Sequence, residues 1–370
     1  MSEKIGVVIA GTGFGEKVHI PAFQHHPRTE IVGIYHRHRQ KAAALAQKYQ
    51  IPNPSDRLED LLNLPSVTGV SLATPPFLHY EMGKIVLEAG KHLLIEKPLN
   101  LNAQETRELY HLAQKKRLIV TPDFEFRFIP AWQLLKESLN QDYIGKKRLI
   151  KIDWLVASRA DPERAWNWYS RKDKGGGVLG AVGSHAFDYI SWLFGPIKRL
   201  CAHLSCAIPL RPDPQEGGKL KPVDADDTCL ILLELADSTP VQLSLSSVTH
   251  SGRGHWLEVY GEKGTLVLGS DNLKDYVHGF RLMGALGGKS LTEIEIPKRL
   301  AFEQVFTDGR LAPFLRVVDN WIESMEQSQS FAPTLRDGVY SQLLMDLAHR
   351  SSINSSWVDV PDLEDFLVVI

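Results

Sequence analysis

The feature that most constrains this chain is an apolar run that empties into a glycine loop. Ile5-Gly6-Val7-Val8-Ile9-Ala10 is followed at once by Gly11-Thr12-Gly13-Phe14-Gly15. A strand, a tight glycine turn and a helix start in succession place free backbone N–H groups and the positive end of a helix dipole at one point, which suits a phosphate. Gly11 permits the turn and Gly13 lets the backbone approach a pyrophosphate. A second signal lies further on, where Glu96-Lys97-Pro98 follows the apolar run His92-Leu93-Leu94-Ile95 and fixes a lysine at a strand end. Parallel sheets bind ligands at the carboxyl ends of their strands, so both signals would face one crevice.

The rest of the first third supports a parallel sheet. Apolar runs at Ile5–Ala10, Ile31–Tyr35, Val67–Ala73, Leu93–Ile95 and Leu118–Val120 alternate with helical patterns at Gln40–Tyr49, Tyr80–Ala89 and Ala103–Lys116. That alternation is the sequence form of βαβ units covered on both faces. Beyond residue 125 the pattern changes. Lys147–Ala157 reads as a long strand, and Gly175-Gly176-Gly177 opens a helix over Val178–Leu193. Strands then follow at Thr228–Leu235, Val241–Val248, Leu257–Tyr260 and Thr265–Leu268 without intervening helices, which predicts a mostly antiparallel sheet. Pro209–Pro222 reads as an exposed loop, and Pro313–Met325 and Leu335–His349 as late helices. At 370 residues two domains are expected, 1–125 and 126–370.

Charge and composition exclude several classes. A net charge of −2 leaves no electrostatic footprint for nucleic acid. No apolar stretch approaches the roughly 20 residues that span a bilayer. Cys201, Cys206 and Cys229 form no CxxC pair, so a reducing cytoplasm is the simplest reading. Met1-Ser2-Glu3-Lys4 runs straight into a strand and leaves no room for a signal peptide. His25-His26 and His36/His38 lack the carboxylate or cysteine company of a metal site, so no metal is expected.

Two details refine the nucleotide loop. The usual third glycine falls at position 16, which holds Glu16, and Gly15 lies one residue early. A carboxylate beside a diphosphate is unfavourable, so Glu16 is expected to face solvent. The second strand ends Tyr35-His36-Arg37-His38-Arg39, without the Asp or Glu that accepts from a ribose 2′-hydroxyl. A guanidinium fork there suits a 2′-phosphate. NADP is therefore expected over NAD, with His36 and Arg37 at the ribose.

In order along the chain, these segments resemble the Gfo/Idh/MocA (glucose–fructose oxidoreductase, inositol dehydrogenase, rhizopine catabolism) family. The resemblance rests on Gly11–Gly15 with His19, Ala73-Thr74-Pro75-Pro76 with His79, and Glu96-Lys97-Pro98. It continues in Gly175-Gly176-Gly177-Val178-Leu179 leading to His185 and Asp188, in Val259–Thr265, and in Pro333–Gly338. It implies an α/β chain: an N-terminal Rossmann dinucleotide-binding domain, then a C-terminal α+β domain with an open, mostly antiparallel sheet that supports homodimers or homotetramers. It implies hydride transfer between nicotinamide and an alcohol or ketone carbon of a small-molecule substrate, commonly a sugar or cyclitol. Lys97 and His185 would be catalytic, and Phe14, Ala73, Thr74, Pro75, His79 and Glu96 would line the cofactor.

The chain departs from the family at Ala181, where an Asp usually stands four residues before the histidine. That departure keeps two other readings open: a non-catalytic dinucleotide-binding regulator, or a reductase of a dihydrodiol, an imine or a linear tetrapyrrole. Histidine titrates near neutrality and can take an alcohol proton. Lys97 can lose its charge or polarise a carbonyl. Arg127, Trp166, Trp168 and Asp188 are weaker candidates for the substrate, each with a structural alternative: an ion pair for Arg127 and Asp188, core packing for the tryptophans.

Overall fold

A computed structural model describes residues 4–272 and 279–368. The lead-in Met1–Glu3 lies outside the described residues. The chain forms two compact units, one comprising Met1–Glu125 with Phe306–Gln342, the other Phe126–Val305 with Leu343–Ile370.

The first unit is built on a six-stranded sheet of order β3-β2-β1-β4-β5-β6. Its strands are β1 (Ile5–Ala10), β2 (Thr29–Tyr35), β3 (Pro54–Ser55), β4 (Gly69–Leu72), β5 (His92–Ile95) and β6 (Val120–Pro122). Every pairing is parallel. The chain reverses its winding between β1 and β4, the point where doubly wound sheets take ligands. Helices α1 (Ile20–His25), α2 (Arg39–Tyr49), α3 (Leu58–Leu62), α4 (His79–Glu88) and α5 (Ala103–Lys116) connect the strands. Val7 to Ala10 and Leu93 to Ile95 are fully buried, as continuous apolar runs require when both faces of a strand are covered. Short β3 and α3 carry too few residues for a periodic signal and escaped the sequence reading.

A late helix, Leu311–Glu326, belongs to this unit, so a division at residue 125 does not capture the chain's return. Its apolar stripe predicts burial, but the surface it covers lies far away in sequence. Trp321 is fully buried, 6.1 Å from the Phe23 ring centroid. The same indole covers Gly69, where a Cβ would lie 2.6 Å from its ring and 2.9 Å from the His92 carbonyl oxygen.

The second unit carries helix α6 (Pro130–Asn140), β7 (Lys147–Leu155), helix α7 (Ser184–Phe194), β8 (Ile197–Ser205), the hairpin β9 (Leu210–Asp213) and β10 (Lys219–Pro222), then β11 (Thr228–Leu235), β12 (Pro240–Ser246), β13 (Gly254–Gly261), β14 (Gly264–Ser270), β15 (Arg281–Leu286), β16 (Thr292–Glu293) and β17 (Val358–Asp359). Nine of these strands form one sheet of order β16-β15-β14-β13-β7-β12-β11-β8-β17. All its pairs are antiparallel except β7–β12. The mostly antiparallel sheet expected from the sequence is present. Pro209–Pro222 is not an open loop. It folds as β9 and β10, tied down by the buried Arg211, whose guanidinium donates to the carbonyls of Asp161 (2.7 Å) and Arg159 (2.6 Å).

One sheet face is packed and the other is open. Val241, Leu243 and Leu245 of β12 point to the packed side, as do Cys229, Ile231 and Leu233 of β11. Leu149, Leu230, Leu232 and Tyr260 are exposed. Between them lie charged pairs, Lys151–Asp153 at 3.1 Å and Arg253–Glu258 at 2.7 Å.

Replacing Gly69 by Ala tests the seal made by the late helix. The added Cβ meets both an indole and a carbonyl, so stability should fall by about 1–3 kcal/mol. A urea midpoint unchanged from wild type would mean that Trp321 does not cover β4.

Candidate active site

The glycine loop leaves β1 directly against the segment after β4. Gly11 has φ of +115°, and a Cβ there would lie 2.3 Å from the Ala73 carbonyl oxygen, so only glycine fits. Gly13 has nothing within 4 Å of a hypothetical Cβ, which leaves its backbone open to a ligand. Gly15–His19 forms a π-helical turn leading into α1. An open glycine before a helix start fits the diphosphate of a dinucleotide. Glu16 is turned toward α2 rather than freely into solvent: it accepts from Lys48 Nζ at 2.9 Å and Tyr49 Oη at 3.3 Å. Both bonds hold its charge to one side.

Beyond β2, Arg37 is exposed and His36 is partly exposed, its Nδ1 accepting from the His38 backbone N–H at 2.9 Å. Arg39 lies 3.8 Å from Asp56. After β4, the His79 ring is fully buried and bridges two loops. Its Nε2 faces the Thr74 carbonyl at 2.6 Å and its Nδ1 the Leu99 carbonyl at 2.9 Å. Burial pushes the imidazole pKa down, against those carbonyl bonds. His79 thus joins Ala73-Thr74-Pro75 to the segment that carries Lys97.

Lys97 projects from a polar hub at the ends of β5 and β6. The Glu96 carboxylate receives His19 Nε2 at 3.0 Å, while His19 Nδ1 lies 2.7 Å from Ser71 Oγ. Phe314 of the late helix covers the His19 ring with centroids 4.3 Å apart. Asp123 shares a hydrogen bond with Glu96. Burial alone would raise the Glu96 pKa, but the His19 bond and charge, Lys97 and Asp123 draw it down to about 2. Burial and the Glu96 charge push Asp123 well above the usual carboxylate range. Asp123 therefore holds the proton and donates it to Glu96. Glu125, also buried, is raised to about 7 by burial, against the charge of Lys97. Across the same end of the sheet, the Arg310 guanidinium lies 5.0 Å from the Phe14 ring centroid and pairs with Asp308.

His19, Glu96 and Asp123 bring one ligand atom each within 4.8 Å, a spacing that could hold a metal. Hydrogen bonds join His19 to Glu96 and Glu96 to Asp123, so the cluster reads as a hydrogen-bonded hub.

In the second unit, His185 lies in the first turn of α7, 3% exposed, just after a π-helical turn over Leu179–Gly183. Ala181 sits inside that π turn, so the four-residue spacing to His185 crosses a change of helix type. The His185 ring is 4.8 Å from Phe126 and 6.3 Å from Trp154. Gly177, at φ +105°, lets the Asp226 carboxylate reach this helix start, where it accepts from the Leu179 N–H at 2.7 Å. Arg127 and Asp188 meet in a buried bidentate pair, Nε–Oδ2 3.0 Å and Nη2–Oδ1 2.5 Å. Trp166 donates Nε1–H to the Pro222 carbonyl at 2.9 Å, and Lys221 lies 5.0 Å from its ring. Trp168 is partly exposed beside Tyr169. The bond and the lysine contact tie Trp166 to the β9–β10 hairpin.

Comparison with known proteins fits both units. The oxidoreductase-family NAD-binding Rossmann fold matches residues 5–124, and the family's C-terminal alpha/beta domain matches residues 136–360. The chain belongs to the Gfo/Idh/MocA oxidoreductase family. It is 55% identical over 366 residues to an uncharacterised oxidoreductase of Synechocystis sp., covering 99% of each chain. It is 25% identical over 354 residues to levoglucosan dehydrogenase of Pseudarthrobacter phenanthrenivorans, covering 87% of each. The solved complex of levoglucosan dehydrogenase with NADH and levoglucosan superposes with a TM-score of 0.87 at 23% identity, covering 97% of this chain and 100% of that one. As a Gfo/Idh/MocA protein the chain is an oxidoreductase with an NAD-binding domain. Among the described residues, no helix is long and apolar enough to cross a membrane.

The sequence reading missed Ser71, Asp123, Glu125, Arg310 and Phe314. Asp123 and Glu125 carried a usable signal, since both follow a strand-like run on its carboxyl side. Arg310 and Phe314 carried none, because the return of the late segment is a tertiary event.

The shared proton predicts a pH dependence. A carboxyl raised by folding stabilises at low pH and loses that contribution as pH rises toward its folded value. Asp123→Asn keeps a donor for Glu96 without titrating. Relative to wild type, its melting temperature should therefore improve steadily from pH 4 to pH 8. A constant offset across that range would mean that Asp123 is ionised.

Proposed function

We propose that this chain is an NADP-dependent oxidoreductase moving hydride between the nicotinamide and an alcohol or ketone carbon of a sugar, cyclitol or related small molecule. The observation that supports this best is the gathering of the glycine loop, Ala73-Thr74-Pro75 and Glu96-Lys97 at the carboxyl ends of β1, β4 and β5. The dinucleotide, when bound, supplies the hydride acceptor or donor. Gly11, Gly13, Phe14 and Gly15 hold its diphosphate. Ala73, Thr74, Pro75, His79 and Glu96 shape the wall that orients it. Arg37, beside His36 and with no carboxylate in Tyr35–Arg39, recognises a 2′-phosphate.

Lys97 is the charged group beside the dinucleotide-binding residues of the first unit. It gives a hydrogen bond to the reacting oxygen, or takes the hydroxyl proton when uncharged. His185 serves as a second acid–base group, held on a helix whose start is fixed by Asp226 and whose next turn is fixed by the Arg127–Asp188 pair. Trp168 offers a ring face to a sugar. The open sheet face, with Leu149, Leu230, Leu232 and Tyr260, is the surface through which a homodimer or homotetramer forms. Three unpaired cysteines support a cytoplasmic setting.

A non-catalytic dinucleotide-binding regulator is the second reading, favoured by Ala181. Turnover of NADPH across a panel of sugar and non-sugar carbonyls separates the two. Binding without turnover on every member would leave the regulator.

Two substitutions test the assigned roles. Lys97→Met should lower kcat by about 10²–10⁴-fold while the dinucleotide Kd stays within a few-fold; activity near wild type would remove Lys97 from the chemistry. Arg37→Ala should weaken NADPH binding by about tenfold or more and leave NADH unchanged. Equal losses for both cofactors in a fluorescence titration would refute the 2′-phosphate contact.

A further inference from the structure

The segment after β7 holds a cation that the proposed chemistry leaves unused. The backbone of Arg159 is fixed on both sides. Its N–H donates to the Ser247 carbonyl at 2.8 Å, and its own carbonyl accepts from Nη2 of the buried Arg211 at 2.6 Å. Its side chain is half-buried and lies over Tyr169, with Cζ 3.1 Å from the ring centroid. Among the described residues the guanidinium forms no ion pair with a carboxylate, and the cations Arg164 and Arg211 act on it. Burial pushes the Tyr169 hydroxyl up to about 12, so the phenol is neutral and cancels none of this charge. Burial draws the Arg159 pKa down, against Tyr169 and with Arg164 and Arg211, but a guanidinium keeps its proton in proteins. Positive charge taken partly out of water, beside like charge and without a counter-ion, is unfavourable. An anion brought by a ligand removes that cost.

Tyr169 also fixes where that anion lies. Its ring centroid is 5.7 Å from that of the partly exposed Trp168. Its carbonyl accepts from the Gly177 N–H at 3.1 Å, and a Cβ on Gly176 would lie 2.3 Å from the same oxygen. The Trp168-Tyr169 segment is therefore seated on the glycine run that leads to His185, all within the second unit. We propose that Arg159 is a specificity-determining residue that receives an anionic group, carboxylate or phosphate, carried by the sugar that stacks on Trp168. The inference rests on the sugar reading of the site and narrows it to acidic or phosphorylated sugars. A guanidinium held against a ring is pre-organised to present its N–H fork to anionic oxygens. The exposed Arg164, tied through Nη1 to the Ser158 carbonyl at 3.0 Å, adds attraction for the same charge.

The first test needs no turnover. Glucose 6-phosphate, glucuronate, glucose and inorganic phosphate are titrated into the full chain, with and without the dinucleotide, by calorimetry. At least one of the two anionic sugars should bind about tenfold or more tighter than glucose, and which one does so separates phosphate from carboxylate. Arg159→Met should bring that ratio close to one. Arg159→Lys, which keeps the charge and loses the fork, should keep part of it. Anionic sugars that bind no better than glucose, or a ratio unmoved by Arg159→Met, would overturn the proposal. Inorganic phosphate binding as tightly as either anionic sugar would mark a free-ion site and overturn it as well.

The second test uses the holoenzyme with anionic and neutral sugars that turn over. Arg159→Met should raise KM for the anionic sugar by about tenfold or more, with kcat within a few-fold, and leave KM for the neutral sugar in place. Equal losses on both sugars would show a structural role only and overturn the assignment. If no sugar turns over, the oxidoreductase reading fails, while the binding ratio still decides whether Arg159 takes the anion.

Discussion

The first unit depends on a carboxylate buried at the end of a parallel strand. Glu96 stands where β5 leaves the sheet, 7% exposed, and could not be ionised there alone. It is ionised because His19 reaches it from the glycine-loop turn and Asp123 reaches it from β6. One charge thereby ties the diphosphate loop, the lysine segment and the last strand together. Phe314 closes the His19 ring from the late helix, so the C-terminal return is part of the same assembly. The lysine beside it inherits a fixed origin, and its electrostatic surroundings are set by groups that do not move independently.

The second unit solves a similar problem at a helix start. Its glycine run lets Asp226 approach the first turns before His185, with a buried carboxylate receiving the Leu179 N–H. Arg127 and Asp188 satisfy each other one turn later. A π-helical turn stands at the key histidine of each unit: Gly15–His19 ends on His19, just before α1, and Leu179–Gly183 ends two residues before His185 of α7. Such turns recur at functional sites because they re-aim a side chain without ending the helix. Ala181 falls within the second of them, and the simple helical spacing to His185 therefore overstates how closely the two are stacked.

Buried acid clusters of this kind distribute protons unevenly. Two carboxyls that share a hydrogen bond cannot both be charged, so one is driven low and the other high. Glu96 takes the charge because it has His19, and Asp123 keeps the proton. Glu125 lies outside that bond, and burial raises it to about 7.

Much of this was legible in the sequence. The uninterrupted apolar run before Gly11-Thr12-Gly13 fixed a buried parallel strand and a phosphate turn, because only glycine tolerates those dihedrals and that approach. The alternation of runs and helical periods fixed the βαβ order, and the succession of strands after Thr228 fixed an antiparallel sheet. Long periodic elements speak for themselves, since their burial is written in every second or every third and fourth residue. The tertiary structure alone decided the rest. It returned Leu311–Glu326 to the first unit, folded Pro209–Pro222 into a hairpin around Arg211, and put Val241, Leu243 and Leu245 on the packed side of the sheet. It also chose the partners of each charge, pairing Arg127 with Asp188 and Glu96 with His19. Ionisation in a protein interior depends on what lies a few ångströms away through space, and that distance is not a property of sequence spacing.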